Sequence, residues 1–201
     1  MAYEIFEESI SPPPDIIRVD CPVLVTERLV LRLPHMEDVD AIADFAAKRR
    51  TASLQPDLPY PDSRSLAMDF VKRASTGAMG YCVYAITLGD SGIFVGCCAL
   101  REAADSGRPT ISIWLGPKFE GMGYGNEAIN ALIDAAFRAT PLEELFIDCP
   151  AEDDRARKMI EQAGFKALTG EREHSTAWNG HVYRLDRTHW IGLKQALPEK
   201  L

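Results

Sequence analysis

The chain has 201 residues, a length that suits one domain with a sizeable hydrophobic core. Its formal net charge of −8 argues against a nucleic-acid binder, which usually presents a basic face, and is compatible with cationic substrates such as amines. The sequence has neither an apolar run of the roughly 20 residues that span a membrane nor a signal peptide at its acidic, proline-broken start. We therefore expect a cytoplasmic protein without nucleic-acid or membrane partners.

The cysteines and histidines do not suggest a metal site. The five cysteines are odd in number and have no C-x-x-C spacing, and the four histidines have no zinc-ligand spacing. Four of the cysteines lie in apolar, strand-like runs. The sequence therefore favours reduced cysteines that act as small hydrophobic side chains over a disulfide framework or a bound metal; the five are Cys21, Cys82, Cys97, Cys98 and Cys149.

The first third of the chain predicts an extension, a strand and two helices. Residues 1–22 contain "SPPPD", which cannot join a helix or a central strand. The leucines of "TERLVLRLP" (26–34) alternate, which indicates a strand. The segment "EDVDAIADFAAKRR" reads as a helix with early acids and late bases, and a proline-punctuated loop (55–62) follows it. Asp62 or Ser63 can cap the second helix.

The remainder predicts a mixed sheet. Three strand-like runs (81–87, 92–101 and 110–115) are joined by short turns, which indicates an antiparallel meander. A helix at about 125–139, a strand at 142–150, a further helix and two strands follow, and the tail can add a short helix. Helices should pack on this sheet, and the segment from 110 to 149 should form a parallel crossover.

A glycine-rich loop, "FEGMGYGNEA" (119–128), precedes the central helix. Glycines at 121, 123 and 125 would let the backbone approach an anion at the positive end of the helix dipole, but they would also suit a plain turn. The sequence alone leaves these two interpretations evenly balanced. The loop lacks the lysine of a nucleotide-binding P-loop, and its spacing disfavours the dinucleotide fingerprint of an NAD-type oxidoreductase.

Three segments in this order carry a resemblance to a known family: "TERLVLRLP", "IWLGPKFEGMGYGNEAINALIDAAF" and "DDRARKMIEQAGF". The chain resembles the GNAT acetyltransferase superfamily over roughly residues 24–187, and its ribosomal-protein N-terminal acetyltransferase branch in particular. The resemblance implies an α/β (α+β) fold: a mixed, mostly antiparallel central sheet with helices on both faces. The domain would span 23–187, between the N-terminal extension (1–22) and a C-terminal tail (188–201).

The resemblance also implies a cosubstrate, acetyl-CoA, and a set of residues that hold it. Backbone amides of the loop would bind the CoA pyrophosphate, and the preceding strand would pair with the pantetheine arm where it splays from the next strand. A basic residue of the later helix would assist. The implied cofactor-binding residues are Gly121, Met122, Gly123, Tyr124, Gly125 and Asn126 of the loop, Ile113, Trp114 and Leu115 of the strand, and Arg157 of the helix.

Three residues depart from the family pattern. Glu120 replaces the usual Gln or Arg at the loop, and we expect its carboxylate to face away from the phosphates. Asp153 stands where the family often has Asn, and Ile160 where many relatives have a tyrosine general acid. The candidate general bases are Glu102 and Asp153, with the less favoured His174 and His181. For each of these, a solvated surface position stays open.

The resulting hypothesis is an N-acetyltransferase that moves acetyl directly from acetyl-CoA to a primary amine, either a peptide N-terminus or a small amine. The alternative is a catalytically weak acyl-CoA-binding or protein-interaction module on the same fold. The sequence does not identify the acceptor, and it leaves a homodimer open.

Overall fold

The computed structural model describes residues 21–48, 63–77, 79, 82–103, 106–168 and 180–196. Within these ranges, eight strands form one sheet in the order β1-β2-β3-β4-β5-β6-β8-β7. The strands are β1 (Leu24–Val25), β2 (Leu29–Arg32), β3 (Cys82–Leu88), β4 (Phe94–Glu102), β5 (Pro109–Leu115), β6 (Glu144–Pro150), β7 (Lys166–Ala167) and β8 (Gly180–Asp186). The helices are α1 (Val39–Lys48), α2 (Arg64–Ser75), α3 (Tyr124–Ala139), α4 (Asp154–Gln162) and α5 (Arg187–Ala196).

The strand pairing confirms the predicted fold class. Strands β1 to β5 pair antiparallel in sequence order, and β8 pairs antiparallel with both β6 and β7. Among the described strands, β5 and β6 alone are parallel, with α3 in the connection between them. The predicted parallel crossover is therefore confirmed. The predicted loop at 55–62, the cap candidate Asp62 and the candidate base His174 lie outside the described residues.

Helices cover both faces of the sheet. The side chains of β5 alternate between the two faces and show which helix lies on each. The Trp114 ring contacts Phe94, and Phe94 in turn contacts Phe45 of α1, so this face lies under α1. Leu115 points to the opposite face, where it lies beneath the start of α3. Strands β3 and β4 are buried almost throughout, as expected for central strands covered on both sides.

The helix ends follow from side chains that satisfy free backbone groups. Ser63 Oγ accepts a hydrogen bond from the Leu66 amide at 3.3 Å and caps α2.

At the C-terminal end of the described chain, α5 packs on α3. The centre of the Trp190 ring lies 5.2 Å from that of Phe137, and Trp190 Nε1 donates to Asp134 Oδ1 at 2.8 Å. None of the helices in the described ranges has the length and apolar character that crossing a bilayer requires.

The structure corrects the prediction that all cysteines are reduced, because Cys21 and Cys82 form a disulfide. Extending the β1–β2 register places Cys21 opposite position 34, and extending the β2–β3 register places Cys82 opposite position 35. Strand β2 has already ended at Arg32, so β1 and β3 can meet beyond it, with the two Cα atoms 5.6 Å apart. Cys97, Cys98 and Cys149 are free and buried, as predicted.

The disulfide gives the first testable prediction. We expect three of the five cysteines to react with a thiol reagent in denaturant without reductant, and all five after reduction. Closing a chain segment of 61 residues should raise the free energy of unfolding by about 4 kcal/mol, through lost entropy of the unfolded chain. Urea unfolding with and without reductant measures this effect.

Cys21→Ser is the control for that experiment, because its stability should not respond to reductant. Five reactive thiols in the unreduced wild-type protein would contradict the assignment.

Candidate functional site

The central sheet is split between β5 and β6. These strands pair only at Thr110–Phe146 and Ile111–Ile147, although β5 continues to Leu115 and β6 to Pro150. Each strand stays paired on its other side, β5 with β4 and β6 with β8. Beyond Ile111, the side of β5 that faces β6 therefore lies outside the strand pairing of the sheet. This split lies at the strand residues that the resemblance implies for a pantetheine arm.

The side chains around the split are buried. Trp114 is 1% exposed and packs into the core, while Ile113 is partly buried against it. Ser112, the first residue beyond the β5–β6 pairing, has a buried hydroxyl with no hydrogen-bond partner among the described residues. A buried polar atom without a partner is uncommon and costs about 1–3 kcal/mol. The splayed part of β5 would therefore offer a ligand mainly its backbone.

The glycine loop lies at the open end of the split, directly after β5. A short 3₁₀ turn (Pro117–Phe119) leads into it, and residues 121–123 are exposed. Gly121 and Gly123 have φ of 75° and 82°, in the left-handed region that side chains disfavour. Gly123 caps α3 without a side-chain hydrogen bond, so the first amides of the helix lack intrahelical acceptors. The loop thus presents backbone donors and the positive end of a helix dipole to solvent.

The third glycine of the loop has a different role. Gly125 is buried and lies within α3, where an added Cβ would stand 2.8 Å from Met159 Sδ and 3.6 Å from Leu115 Cδ1. Gly125 therefore permits close packing of α3 against α4 and β5. Its neighbour Asn126 donates from Nδ2 to Gln162 Oε1 at 2.8 Å, which adds a second link between these helices.

A residue pair that sequence reasoning missed anchors this helix terminus. Glu127, in the first turn of α3, accepts hydrogen bonds from the Thr26 hydroxyl at 2.6 Å, the Arg28 amide at 2.8 Å and Arg28 Nε at 2.7 Å. Burial raises the pKa of Glu127, but the bonds from Thr26 and Arg28 and the charge of Arg28 outweigh burial and lower it. Arg28 lies in the first motif of the sequence and Glu127 at the end of the glycine loop segment. Only the fold brings the two together.

Asp153 lies at the start of α4, which follows the end of β6 at the open part of the split. Its Oδ1 accepts the Ala156 amide at 2.9 Å, so the carboxylate is the N-cap of this helix. The neighbouring thiol, Cys149 Sγ, lies 3.8 Å from the Asp153 carbonyl oxygen. Burial raises the pKa of Cys149 to about 11, and the charge of Asp153 adds to the effect. The thiol is therefore protonated near neutral pH and unsuited to act as a nucleophile.

The structure separates the second predicted base from the loop. Glu102 ends β4 and pairs with Pro109 at the start of β5, whereas the loop follows Leu115 at the other end of that strand. Six residues of strand correspond to about 20 Å. Glu102 thus lies at the closed end of the β5–β6 split. His181, on β8, pairs with Cys149 and is exposed.

The charged residues near the loop form ion pairs with one another. Arg157 Nη2 lies 2.6 Å from Asp154 Oδ1, within one turn of α4. The Glu120 carboxylate is turned to α4, where its Oε2 lies 3.9 Å from Arg155 Nη1, and 33% of its side chain is exposed. The described residues contain no group of three or more His, Cys, Asp or Glu side chains that could hold a metal ion.

The split sheet, the glycine loop and the order of elements define an acyl-CoA N-acyltransferase-like fold. A family model, the acetyltransferase (GNAT) domain, matches residues 28–166. The chain therefore belongs to the GNAT acetyltransferase family and is an acetyltransferase, which confirms the resemblance seen in the sequence.

Known relatives agree with this assignment. An N-acetyltransferase of Bacillus licheniformis called p20, described as uncharacterized, is 24% identical over 146 residues, covering 71% of this chain and 82% of that protein. The crystal structure of an Agrobacterium tumefaciens acetyltransferase matches with a TM-score of 0.70 and 24% identity, over 87% of this chain and 100% of that one. The structure of RimL, a ribosomal L7/L12 alpha-N-protein acetyltransferase, in complex with coenzyme A matches with a TM-score of 0.64 and 18% identity. The match covers 82% of this chain and 98% of that one.

The lowered pKa of Glu127 gives a prediction for pH dependence. Because the folded pKa lies below the unfolded value of about 4.3, the stabilisation is complete above that pH and is lost as the pH falls through the folded pKa. We expect Glu127→Gln to be less stable than the wild type at neutral pH, with a difference that shrinks in acid. Urea unfolding at neutral pH and below about pH 4 measures this difference.

Glu144→Gln is the matched control, since it removes an exposed ion pair in which Glu144 Oε1 lies 3.0 Å from Arg184 Nη1. Its effect on stability should stay within about 1 kcal/mol. A Glu127→Gln deficit that grows as the pH falls would contradict the assignment.

Proposed function

We propose that this protein transfers an acetyl group from acetyl-CoA to a primary amine. The observation that carries the proposal is the exposed, left-handed glycine loop at the α3 N-terminus, placed at the open end of a split sheet. Acetyl-CoA combines an anionic pyrophosphate with an extended amide-containing arm. The loop would supply amides for the anion, and the part of β5 beyond its pairing with β6 would supply backbone partners for the arm. The RimL structure with coenzyme A supports this choice of ligand.

We assign the cofactor contacts to the backbone. Amides of residues 121–126 would bind the pyrophosphate, and residues 113–115 would pair with the pantetheine arm. The side chain of Trp114 is buried and would not itself meet the ligand. Arg157 would meet a CoA phosphate from α4, which requires it to leave or share its pair with Asp154. Glu120 would stay outside the pyrophosphate site, held toward Arg155.

The reaction needs a neutral amine and no covalent enzyme intermediate. The ammonium first loses a proton to a base or a water; the nitrogen then forms a bond to the thioester carbonyl carbon. The carbon–sulfur bond breaks, the nitrogen loses a second proton as the amide forms, and the departing CoA thiolate takes up a proton. A protonated Cys149 is consistent with direct transfer. Holding the amine and thioester together can supply up to about 7–11 kcal/mol of the barrier reduction in well-oriented cases.

Of the two carboxylates predicted as general bases, the geometry favours Asp153 over Glu102. Asp153 lies beside β6 at the open part of the split, whereas Glu102 lies at its closed end. The Asp153 Oδ1 atom is used for the helix cap, which leaves Oδ2 for a proton or a relaying water. We propose a peptide N-terminus or a small amine as the acceptor, in the cytoplasm. The net charge of −8 is compatible with a cationic acceptor.

The capping role of Asp153 also favours a second candidate, an acyl-CoA-binding module with little transfer activity. A carboxylate that serves only as a helix cap would leave the amine without a base. Steady release of CoA thiol with any amine of a panel excludes this candidate, whereas binding of acetyl-CoA without such release supports it.

Binding of acetyl-CoA is the first test. Millimolar acetyl-CoA should raise the melting temperature of the wild type, because a ligand that binds only the folded state stabilises it. Gly123→Val should abolish the shift, since its side chain would strain a backbone with φ of 82° and obstruct the loop. Differential scanning fluorimetry measures both.

Gly92→Ala is the control for Gly123→Val. It places a side chain at a φ of 68° in open space, in the connection between β3 and β4. Its melting temperature should fall, while its shift with acetyl-CoA should remain. An unchanged acetyl-CoA affinity in Gly123→Val would show that the loop is only a turn.

Asp153→Asn separates capping from catalysis, because asparagine caps helices as well as aspartate does. We expect stability to be retained and kcat to fall by about 10²-fold, as loss of a general base predicts. Thiol release measured with the best amine of a peptide and small-amine screen gives kcat. A greater loss in Glu102→Gln than in Asp153→Asn would assign the base to Glu102 instead.

A further inference from the structure

An acidic residue lies where the proposed pyrophosphate site needs positive charge. Glu127 is the fourth residue of α3, within the first turn whose amides would bind the anion, and 16% of its side chain is exposed. A carboxylate near this terminus stabilises the helix dipole by itself and so competes with an anionic ligand. At short range and low exposure, its charge would also repel a pyrophosphate. The site therefore requires a group that cancels this charge.

Arg28, on the β1–β2 connection, is that group. Its Nε and Nη2 atoms lie 2.7 Å from Glu127 Oε2, and its backbone amide donates to Oε1 at 2.8 Å. The Glu127 carboxylate therefore has three charged or polar contacts with Arg28, two from guanidinium nitrogens and one from the backbone amide. Hydrogen bonds of this kind, with an ionised donor and acceptor, are stronger than those between neutral groups. The Thr26 hydroxyl fills a further acceptor position on Oε1. The carboxylate of Glu127 is thus engaged from the side of the β1–β2 connection.

The same guanidinium contacts the glycine loop itself. Arg28 Nη1 donates to the Met122 carbonyl oxygen at 3.0 Å, and the guanidinium carbon lies 4.7 Å from the centre of the Tyr124 ring. A Cβ added to Gly123 would stand 3.2 Å from Nη2, so the loop backbone lies directly against the side chain. Arg28 therefore joins the loop, the first helical residue and Glu127.

The contact with Met122 sets the direction of one amide. In a planar trans peptide, the carbonyl of one residue and the N–H of the next point in opposite directions. Because Arg28 holds the Met122 carbonyl, the N–H of Gly123 must point away from Arg28. Gly123 is itself exposed, so an anion can reach the loop at this residue.

We propose that Arg28 is a positioning residue for the pyrophosphate of acetyl-CoA: it cancels the charge of Glu127 and fixes the Gly123 amide toward the anion. The inference rests on the proposed function, because it assigns a role within the same site. Arg28 acts through Glu127 and the loop backbone and needs no contact with the ligand. A purely structural ion pair would instead change stability without distinguishing one part of the ligand from another.

The test compares acetyl-CoA with S-acetyl-pantetheine, which lacks the pyrophosphate together with the 3′-phosphoadenosine. The dissociation constant of acetyl-CoA is measured by titration calorimetry, and the inhibition constant of S-acetyl-pantetheine by competition with a fluorescent CoA. In Arg28→Met, acetyl-CoA should bind at least about tenfold more weakly, because an uncompensated carboxylate then faces the anion. S-acetyl-pantetheine, which has no pyrophosphate, should change by less than about twofold.

A second substitution tests the mechanism within the same background. Arg28→Met combined with Glu127→Gln should recover a large part of the lost acetyl-CoA affinity, because the repelling charge is gone. Arg28→Lys should lie between wild type and Arg28→Met, since an ammonium neutralises charge but cannot contact Glu127 and the Met122 carbonyl at once as the planar guanidinium does. Lys194→Met is the control: it removes a 2.8 Å ion pair with Asp134, farther along α3, and should leave acetyl-CoA affinity unchanged.

The outcomes separate the two proposals. Equal losses for acetyl-CoA and S-acetyl-pantetheine in Arg28→Met would overturn the inference, as would an unchanged acetyl-CoA affinity or a double variant no better than the single one. If the wild type itself fails to bind acetyl-CoA, the proposed function falls, and this inference with it.

Discussion

The pairing of β5 with β6 ends after two residues, and the rest of the site depends on this early end. A strand in the middle of a sheet normally pairs with a strand on both sides; here β5 pairs only with β4 beyond Ile111. Such a gap is tolerable where a ligand or water can fill it. The diverging strands also bring the loop after Leu115 and the N-terminus of α4 to the same opening. A single interruption in a ladder thus creates the cleft and positions its two sides.

The glycine loop is supported by a segment far away in sequence. The loop and α3 form one part, and the connection between β1 and β2 supplies the other through Thr26 and Arg28. The residues in contact lie about a hundred positions apart in the sequence. Their contact joins an edge of the sheet to its central helix. A helix terminus that offers its amides to an anion is weak in structural terms, because those amides stabilise nothing until a ligand arrives. Support from a neighbouring element compensates for that weakness.

The sequence predicted the fold well because its elements have strong local signals. Alternating leucines and short turns identified strands, and glycine with a helical stripe identified α3. The loop was recognised as an anion-site candidate, but residue types did not reveal that Gly125 serves packing against Met159, since that contact joins two helices. The partnership of Arg28 and Glu127 was equally hidden. The disulfide was missed because the spacing of Cys21 and Cys82 carries no information; only the early end of β2 brings them together.

That disulfide has a consequence for the architecture as a whole. The chain between Cys21 and Cys82 contains β1, β2, α1 and α2, so the N-terminal edge of the sheet and its first two helices form one covalent ring. The ring closes on β3, a central strand of the core. A single break in the backbone anywhere within it would leave both pieces attached to the same molecule. The first two helices could then separate from the domain only after a second bond, either the disulfide or another peptide bond of the ring, had been cut.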